Sequence, residues 1–388
     1  MTLTSTRGQS ARAQEEAVSG LIRSAEQEEW RKTVRAFFEQ KSPEAEVRRL
    51  METPEGYDPA VWSQMSDQLG IQGLAIAEEY GGAGYSFVEL AIVLEEAGRR
   101  LLCAPLLSSV LARTTLLLSG DEQAKKDLLP GIAAGTTIAT LALTEPSGRW
   151  DQAGVAASAE VAGDSWSVSG TKKYVLDGHI ASLILVAART PRGLSIFAVD
   201  GEAPGLERRL LKTLDRTRKL ASLEFSNTPA RLVGEEGGGW AVLEQVMRVA
   251  SVALANEQVG VAEFAMEMAV QYAKDRIAFG RPIGSFQAIK HKCADLLVSV
   301  ESAKSAAHVA AHAVATNSPE LVEIAEIAAS FCSEACLLAG HENIQIHGGI
   351  AYTWEYPAHL YYKRAKSSEL LFGDTMHHRE LLAQAIGL

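Results

Sequence analysis

QIHGGIAYTWEYPAHLYYKRAKSSELLFGDTMHHR, residues 345–379, is the stretch on which the reading of this chain turns. It opens on the pair Gly348-Gly349, where the missing Cβ atoms let a ligand or another chain approach the backbone. Lys363 and Arg364 follow, and then a second loop, Phe372-Gly373-Asp374-Thr375. A glycine-rich turn between helices is by itself only a turn. Two further blocks stand upstream: DRIAFGRPIGSFQAIKHKCAD from Asp275, and LALTEP from Leu141 to Pro146.

Bulk properties narrow the classes. At 388 residues the chain suits two or three packed units. With 47% hydrophobic and 22% charged residues it has the composition of a globular protein. A net charge of −11 argues against a nucleic-acid surface. No apolar run approaches the ~20 residues that cross a bilayer, and the polar N-terminus lacks a signal-peptide core. Cys103, Cys293, Cys332 and Cys336 show no metal-type spacing, and Cys332 and Cys336 read as buried hydrophobes. A reducing cytoplasm fits.

Periodicity divides the chain. Residues 1–20 show no apolar pattern and read as a mobile lead-in. From Glu26 a helix with Trp30, Val34, Phe37 and Phe38 on one side begins. A second follows over Pro59–Leu69, then the glycine-rich loop GLAIAEEYGGAG, then helices over 87–102 and through Leu118. Asp121 caps another. Residues 1–135 are therefore expected to form a helical domain. From Thr136 short β-branched runs alternate with Gly, Asp and Pro, which predicts a β-barrel or sandwich over 136–239. Residues 240–388 return to long apolar helices at 240–275, 286–315, 318–340 and 358–386. These predict a four-helix bundle able to pack against a second copy. On the second, Ile289, Cys293, Leu296, Leu297 and Val300 are expected to form one buried stripe. The fold class is α+β, mainly α.

GLAIAEEYGGAG, ALTEP, GTKKYVLDG, RIAFGRPIGSFQAIKHK, QIHGGIAYTWEYP and LLFG fall in the order and spacing of the acyl-CoA dehydrogenase family of flavoproteins, which the chain resembles from about Gln27 to its end. The resemblance implies the same helical–β–helical order, an FAD cofactor and an acyl-CoA thioester substrate. In the reaction it implies, a carboxylate takes the α proton, the β hydride goes to the flavin, and electrons leave through an electron-transfer flavoprotein. No Gly-x-Gly-x-x-Gly fingerprint is present, so a Rossmann-type nucleotide site is excluded.

The resemblance places Leu141, Leu143 and Thr144 along the isoalloxazine ring, with Tyr174 where a tryptophan flanks it and Leu176 where a threonine bonds it. Trp150 replaces a serine that contacts cofactor and substrate. Arg276 resembles the arginine that a neighbouring subunit offers to the pyrophosphate. Phe279, Phe286, Gln287, Ile289, Gln345 and Gly349 resemble its adenosine-side contacts, and Asp374 stands where a threonine touches the nucleotide. An acidic group beside a pyrophosphate is unfavourable unless it faces ribose hydroxyls.

The departures concern the base. Where the best-known branches carry a glutamate in a Tyr-Glu-Gly-Thr loop this chain has Phe372, and at the alternative helical position it has Ala250. Glu257 is seven residues beyond Ala250, on about the same face but roughly 10 Å away, and is the remaining candidate. His347, His377 and His378 are proton carriers in principle. Two readings stay open: an FAD-dependent acyl-CoA dehydrogenase with a relocated base, or a non-catalytic partner subunit that completes a related chain's cofactor site. The chain is similar to actinobacterial members that assemble as two-plus-two heteromers on steroid side-chain thioesters, so a homo- or heterotetramer with a related subunit is expected. No marker of a flavin monooxygenase or nitroalkane-type oxidase is found.

Overall fold

The computed structural model describes residues 23–163 and 165–388, so the expected mobile lead-in at residues 1–20 lies outside the described residues. The N-terminal part holds six α-helices: α1 (Ala25–Lys41), α2 (Glu44–Glu52), α3 (Pro59–Leu69), α4 (Phe87–Arg99), α5 (Leu106–Leu118) and α6 (Glu122–Ala133). Their starts follow from local chemistry. Ser24 and Gln27 form a reciprocal capping box on α1, and Ser86 and Glu89 form one on α4. Asp58 caps α3 with Pro59 in the first turn, and Asp121 caps α6 by accepting from the Ala124 N–H at 2.9 Å. The glycine-rich loop between α3 and α4 holds two short 3₁₀ turns, Ile71–Gly73 and Glu78–Tyr80.

Seven strands follow: β1 (Ala139–Ala142), β2 (Ser158–Ala162), β3 (Ser165–Leu176), β4 (Leu183–Thr190), β5 (Gly193–Asp200), β6 (Leu206–Leu210) and β7 (Leu220–Val233). They form one sheet in the order β1-β4-β2-β3-β7-β5, with β6 on β7. Because β4 also pairs with β5, the sheet closes on itself. The expected barrel is present, and closure removes the exposed edges that an open sheet would leave. Phe197, Val168, Leu223 and Phe225 fill its interior.

The C-terminal part is built on α7 (Gly239–Asp275), followed by the ribbon β8 (Ile277–Ala278) and β9 (Arg281–Pro282), then α8 (Gln287–Ala315), α9 (Leu321–His347), α10 (Ala358–Glu369) and α11 (Thr375–Ala385). The apolar segment 358–386, expected as one helix, is two. Gly373 at φ 115 breaks it and Asp374 caps the next by accepting from the His377 N–H at 2.8 Å. The α8 stripe is also uneven: Leu296 and Val300 are buried, whereas Leu297 is 49% exposed and its neighbour Val298 68%.

α4 crosses α7 with backbones in contact. A Cβ at Gly98 would overlap the Glu257 carbonyl, and one at Gly260 would overlap the Glu95 carbonyl. Only glycine permits that approach. It seats the N-terminal helices on the long helix and sets the depth of the clefts between them and the barrel.

Candidate active site

The LALTEP strand end and the GTKKYVLDG segment are clamped together by a buried ion pair. Lys172 Nζ donates to Glu145 Oε1 at 2.7 Å and to the Leu143 carbonyl at 3.2 Å. The carboxylate also accepts from the Ala156 and Ala157 N–H groups at 2.8 and 2.9 Å. Burial pushes the Lys172 ammonium down to about 8 against the pull of Glu145. Burial would raise the Glu145 carboxyl, but Lys172 and the two amides together hold it below its usual value. Both residues lie in the blocks LALTEP and GTKKYVLDG, but nothing in either block marks them as a pair.

Above this clamp Leu141, Leu143, Thr144, Tyr174 and Leu176, the residues expected along the isoalloxazine ring, line one cleft. Phe372 joins them, and the barrel set, Met247 of α7 and Leu111 of α5 converge on it. Tyr174 has left-handed backbone at φ 59, an uncommon conformation for a tyrosine, and its ring is 47% exposed. The Thr144 hydroxyl bonds to no other group among the described residues while lining the cleft. An aromatic face and an unused hydroxyl over apolar strand ends are the kinds of group a flavin ring stacks on and bonds to.

The other side is closed. The Phe372 ring, 5% exposed, stands edge-on to the Trp150 indole with centroids 5.9 Å apart and planes at 75°. Leu371 and Met247 pack beside them. The void left is about 20 Å³, room for a single water and far below the roughly 300 Å³ at which small-molecule pockets begin. Ala250 is 1% exposed and carries no acidic group.

Glu257 does not face this cleft. It borders a second one, which adjoins the first across Leu176. There its Oε1 accepts from Arg364 Nη1 at 2.7 Å and from Arg218. Arg364 also bonds Asp215 at 2.8 Å and the Thr217 hydroxyl at 2.6 Å, and Arg218 bonds the Ser368 hydroxyl at 3.0 Å. Burial opposes the Arg364 charge, but Asp215 and Glu257 more than offset it and hold the guanidinium above its ordinary value. The Glu257 carboxylate is thus shared by two buried guanidiniums and lies outside the Phe372 cleft, the surroundings of a structural ion-pair partner. Asp177, buried in the same cleft at φ 51, is pushed up to about 7 by burial against the Ser108 hydroxyl bonded to it at 2.7 Å. Arg218 and Asp215 come from the charged run DRTRK between β6 and β7, which by pattern alone reads as a solvated loop.

The remaining expected residues meet elsewhere. Arg276 ends α7, exposed, with no ion-pair partner among the described residues. Phe279 is 95% exposed at φ 53, its ring 6.2 Å from Phe286, over which Arg281 lies at 4.1 Å. Gln287 is exposed in the first turn of α8, and Ile289 packs with Ile346 at the end of α9. Gln345 and Gly349 lie exposed beside it, and a Cβ on Gly348 or Gly349 would meet only open space. His347 is held between Tyr272 and Tyr356, ring centroids 4.1 and 4.6 Å away, with both nitrogens bonded. His378 bonds Glu326 at 2.6 Å in the core. Neither histidine lines the Phe372 cleft. Asp374, expected with the nucleotide contacts, stays beside Phe372 in this chain with its carboxylate capping α11.

Two half-sites therefore sit far apart. From Met247 to Arg276 is 29 residues of α7, roughly 43 Å of helix, a gap much longer than a dinucleotide. In one chain they cannot hold one cofactor.

A barrel flanked by two helical domains, with an aromatic-lined cleft at its strand ends and an exposed arginine–phenylalanine surface beyond the end of α7, has the architecture of a flavoprotein dehydrogenase. The chain belongs to the acyl-CoA dehydrogenase family, FAD-dependent oxidoreductases acting on CH–CH bonds: the family's N-terminal domain matches residues 24–136, its middle domain 140–228 and its C-terminal domain 237–387. The chain is 36% identical over 352 residues to acyl-CoA dehydrogenase IpdE2 of Mycolicibacterium smegmatis, covering 90% of this chain and 95% of that protein. A variant of the Tcur3481–Tcur3483 steroid ACAD superposes with a TM-score of 0.84 at 30% identity, covering 93% of this chain and 97% of that one. The ChsE4–ChsE5 complex of Mycobacterium tuberculosis does so at 0.86 and 26%, covering 94% and 98%. Among the described residues no helix is long and apolar enough to cross a membrane, and no His/Cys/Asp/Glu cluster could hold a metal.

Proposed function

We propose that this chain is the subunit of a heteromeric acyl-CoA dehydrogenase that supplies no base of its own. It presents the barrel face of one FAD site and, from the far end of α7, the nucleotide contacts of a site on a related subunit. The observation that carries this reading is Phe372, packed on Trp150 where the family places its carboxylate. Bound FAD supplies the acceptor for the hydride from the thioester's β carbon. The chain's own residues would hold it: Thr144 would donate its hydroxyl to the ring, Tyr174 would flank it, and Arg276 would offer its fork to a pyrophosphate. The Phe372–Trp150 wall keeps substrate and water from this chain's own side.

Apolar residues left exposed on the bundle support a partner: Leu297 and Val298 on α8, and Ile327, Phe331 and Leu338 at helical spacing on α9. A protein-sized apolar face of this kind is ordinarily covered. The relatives' names favour a steroid-derived acyl-CoA as substrate, and in this reading electrons pass to an electron-transfer flavoprotein in the cytoplasm.

The test is anaerobic flavin bleaching by a panel of acyl-CoA thioesters, with the chain alone and co-expressed with a related subunit that carries the glutamate. Bleaching confined to the pair is expected. Equal bleaching by the chain alone would sink the reading and restore a complete dehydrogenase with a relocated base.

A further inference from the structure

A void of about 470 Å³ opens between the N-terminus of α4, the end of α5, α7 and the turn joining α8 to α9. It is not the flavin-facing cleft. Gln245, Arg248 and Val249 border it, and these lie roughly 100–200° around α7 from Met247. Its volume falls within the roughly 300–1,000 Å³ of small-molecule pockets.

At its wall stands Arg113, only 3% exposed. Nη1 donates to the Gln72 carbonyl at 3.2 Å, while Nε and Nη2 find no acceptor among the described residues. No carboxylate comes within ion-pair reach of it among the described residues, so burial alone acts on it and pushes the guanidinium down to about 10. The other deeply buried arginines differ: Arg99 faces Glu263 and Glu267, Arg218 faces Glu257, and Arg364 faces Asp215 and Glu257. A buried cation without a counter-charge is strongly destabilising, so a chain that keeps one has a use for it or an anion to neutralise it. Arg248 stands at the rim, bridged to Glu244 at 3.2 Å. Leu117, Val249, Val314 and Leu321 form an apolar strip of the wall, with Ser86, Thr114, Gln245, Asn317 and Ser318 around it.

We propose that this cavity binds a small amphipathic carboxylate, an unesterified acyl acid whose head group pairs with Arg113 and whose hydrocarbon lies along that wall. A planar guanidinium fork matches a carboxylate in two parallel hydrogen bonds. One buried cation among aliphatic side chains does not suit a multiply charged phosphate, which would leave its remaining charge against hydrocarbon. The site is independent of whether this chain carries a base.

Calorimetric titration of the purified full chain with decanoate, decanol and inorganic phosphate tests it. One decanoate per chain is expected, with no saturable heat from decanol or phosphate. Arg113→Met should weaken decanoate at least tenfold and melt no lower than the parent, since it removes an unpaired buried charge. Leu117→Trp, which fills the void and leaves Arg113 in place, should also abolish binding. Unchanged decanoate affinity in either variant, or phosphate binding as tightly as decanoate, overturns the assignment. Were Arg113→Met not to fold, Leu117→Trp decides alone.

Discussion

The Phe372 ring meets the Trp150 indole edge-on, 5.9 Å between centroids, in the loop where the resemblance to the family implies a proton-abstracting carboxylate. Both residues depart from the pattern the resemblance implies, and in the fold the two rings pack on each other. Edge-to-face aromatic pairs contribute about 0.5–1.5 kcal/mol beyond the area they bury. Phe372→Ala should therefore destabilise the chain by about 3–5 kcal/mol without creating dehydrogenase activity. Urea unfolding and a dye-linked assay measure the two outcomes.

Glu257 separates a structural ion from a base. Glu257→Gln leaves Arg364 with Asp215 as its one carboxylate partner and takes from Arg218 the carboxylate it pairs with. The expected loss is about 3–5 kcal/mol of stability, with turnover of the assembled enzyme at low temperature within about twofold of the parent. A base in that position would instead lose turnover by several orders of magnitude at unchanged stability.

Asp177 gives a pH signature. Its folded pKa of about 7 lies above the unfolded value near 3.9, so the folded state binds the extra proton between those values. Stability from this group is whole below about pH 4 and falls as pH rises toward 7. Asp177→Asn removes that slope, so the melting-temperature gap between variant and parent should widen in the variant's favour from pH 5 to pH 8.

Lys172 tests the clamp beneath the flavin face. Lys172→Met strands Glu145 as a buried anion with only two amides and should cost about 3–5 kcal/mol. Because the same ammonium bonds the Leu143 carbonyl, bound flavin should fall with it. Absorbance at the flavin band per chain, with and without the substitution, is the measurement.

Phe279 tests the shared site from its other end. At 95% exposure its removal should leave the isolated chain's stability within about 0.5 kcal/mol. In the assembled pair, Phe279→Ala should weaken FAD retention at least tenfold, read by flavin release on dilution.

The fold was legible because its signals are local. Caps at Asp58 and Asp121, and the change from long apolar helices to short β-branched runs at Thr136, depend on neighbours in sequence. That Arg276, Phe279, Phe286 and Gln287 share one surface was legible too, since they lie within one short stretch. The ion network was not. Glu257, Arg218, Asp215 and Arg364 sit on α7, a loop before β7 and α10, and only tertiary contact reveals that a charged run folds inward. The break before α11 was missed for a different reason: apolar periodicity runs through Leu371 and Phe372, and it hides the glycine that ends the helix.

The length of α7 has a bearing on supply. Under the proposed function, cofactor halves at opposite ends of one rod would leave a chain made without its counterpart with two unfinished sites and an uncovered apolar flank. Such an orphan would be prone to aggregation and degradation, so the cell would have to synthesise both polypeptides in matched amounts, and losing either gene would silence the pair.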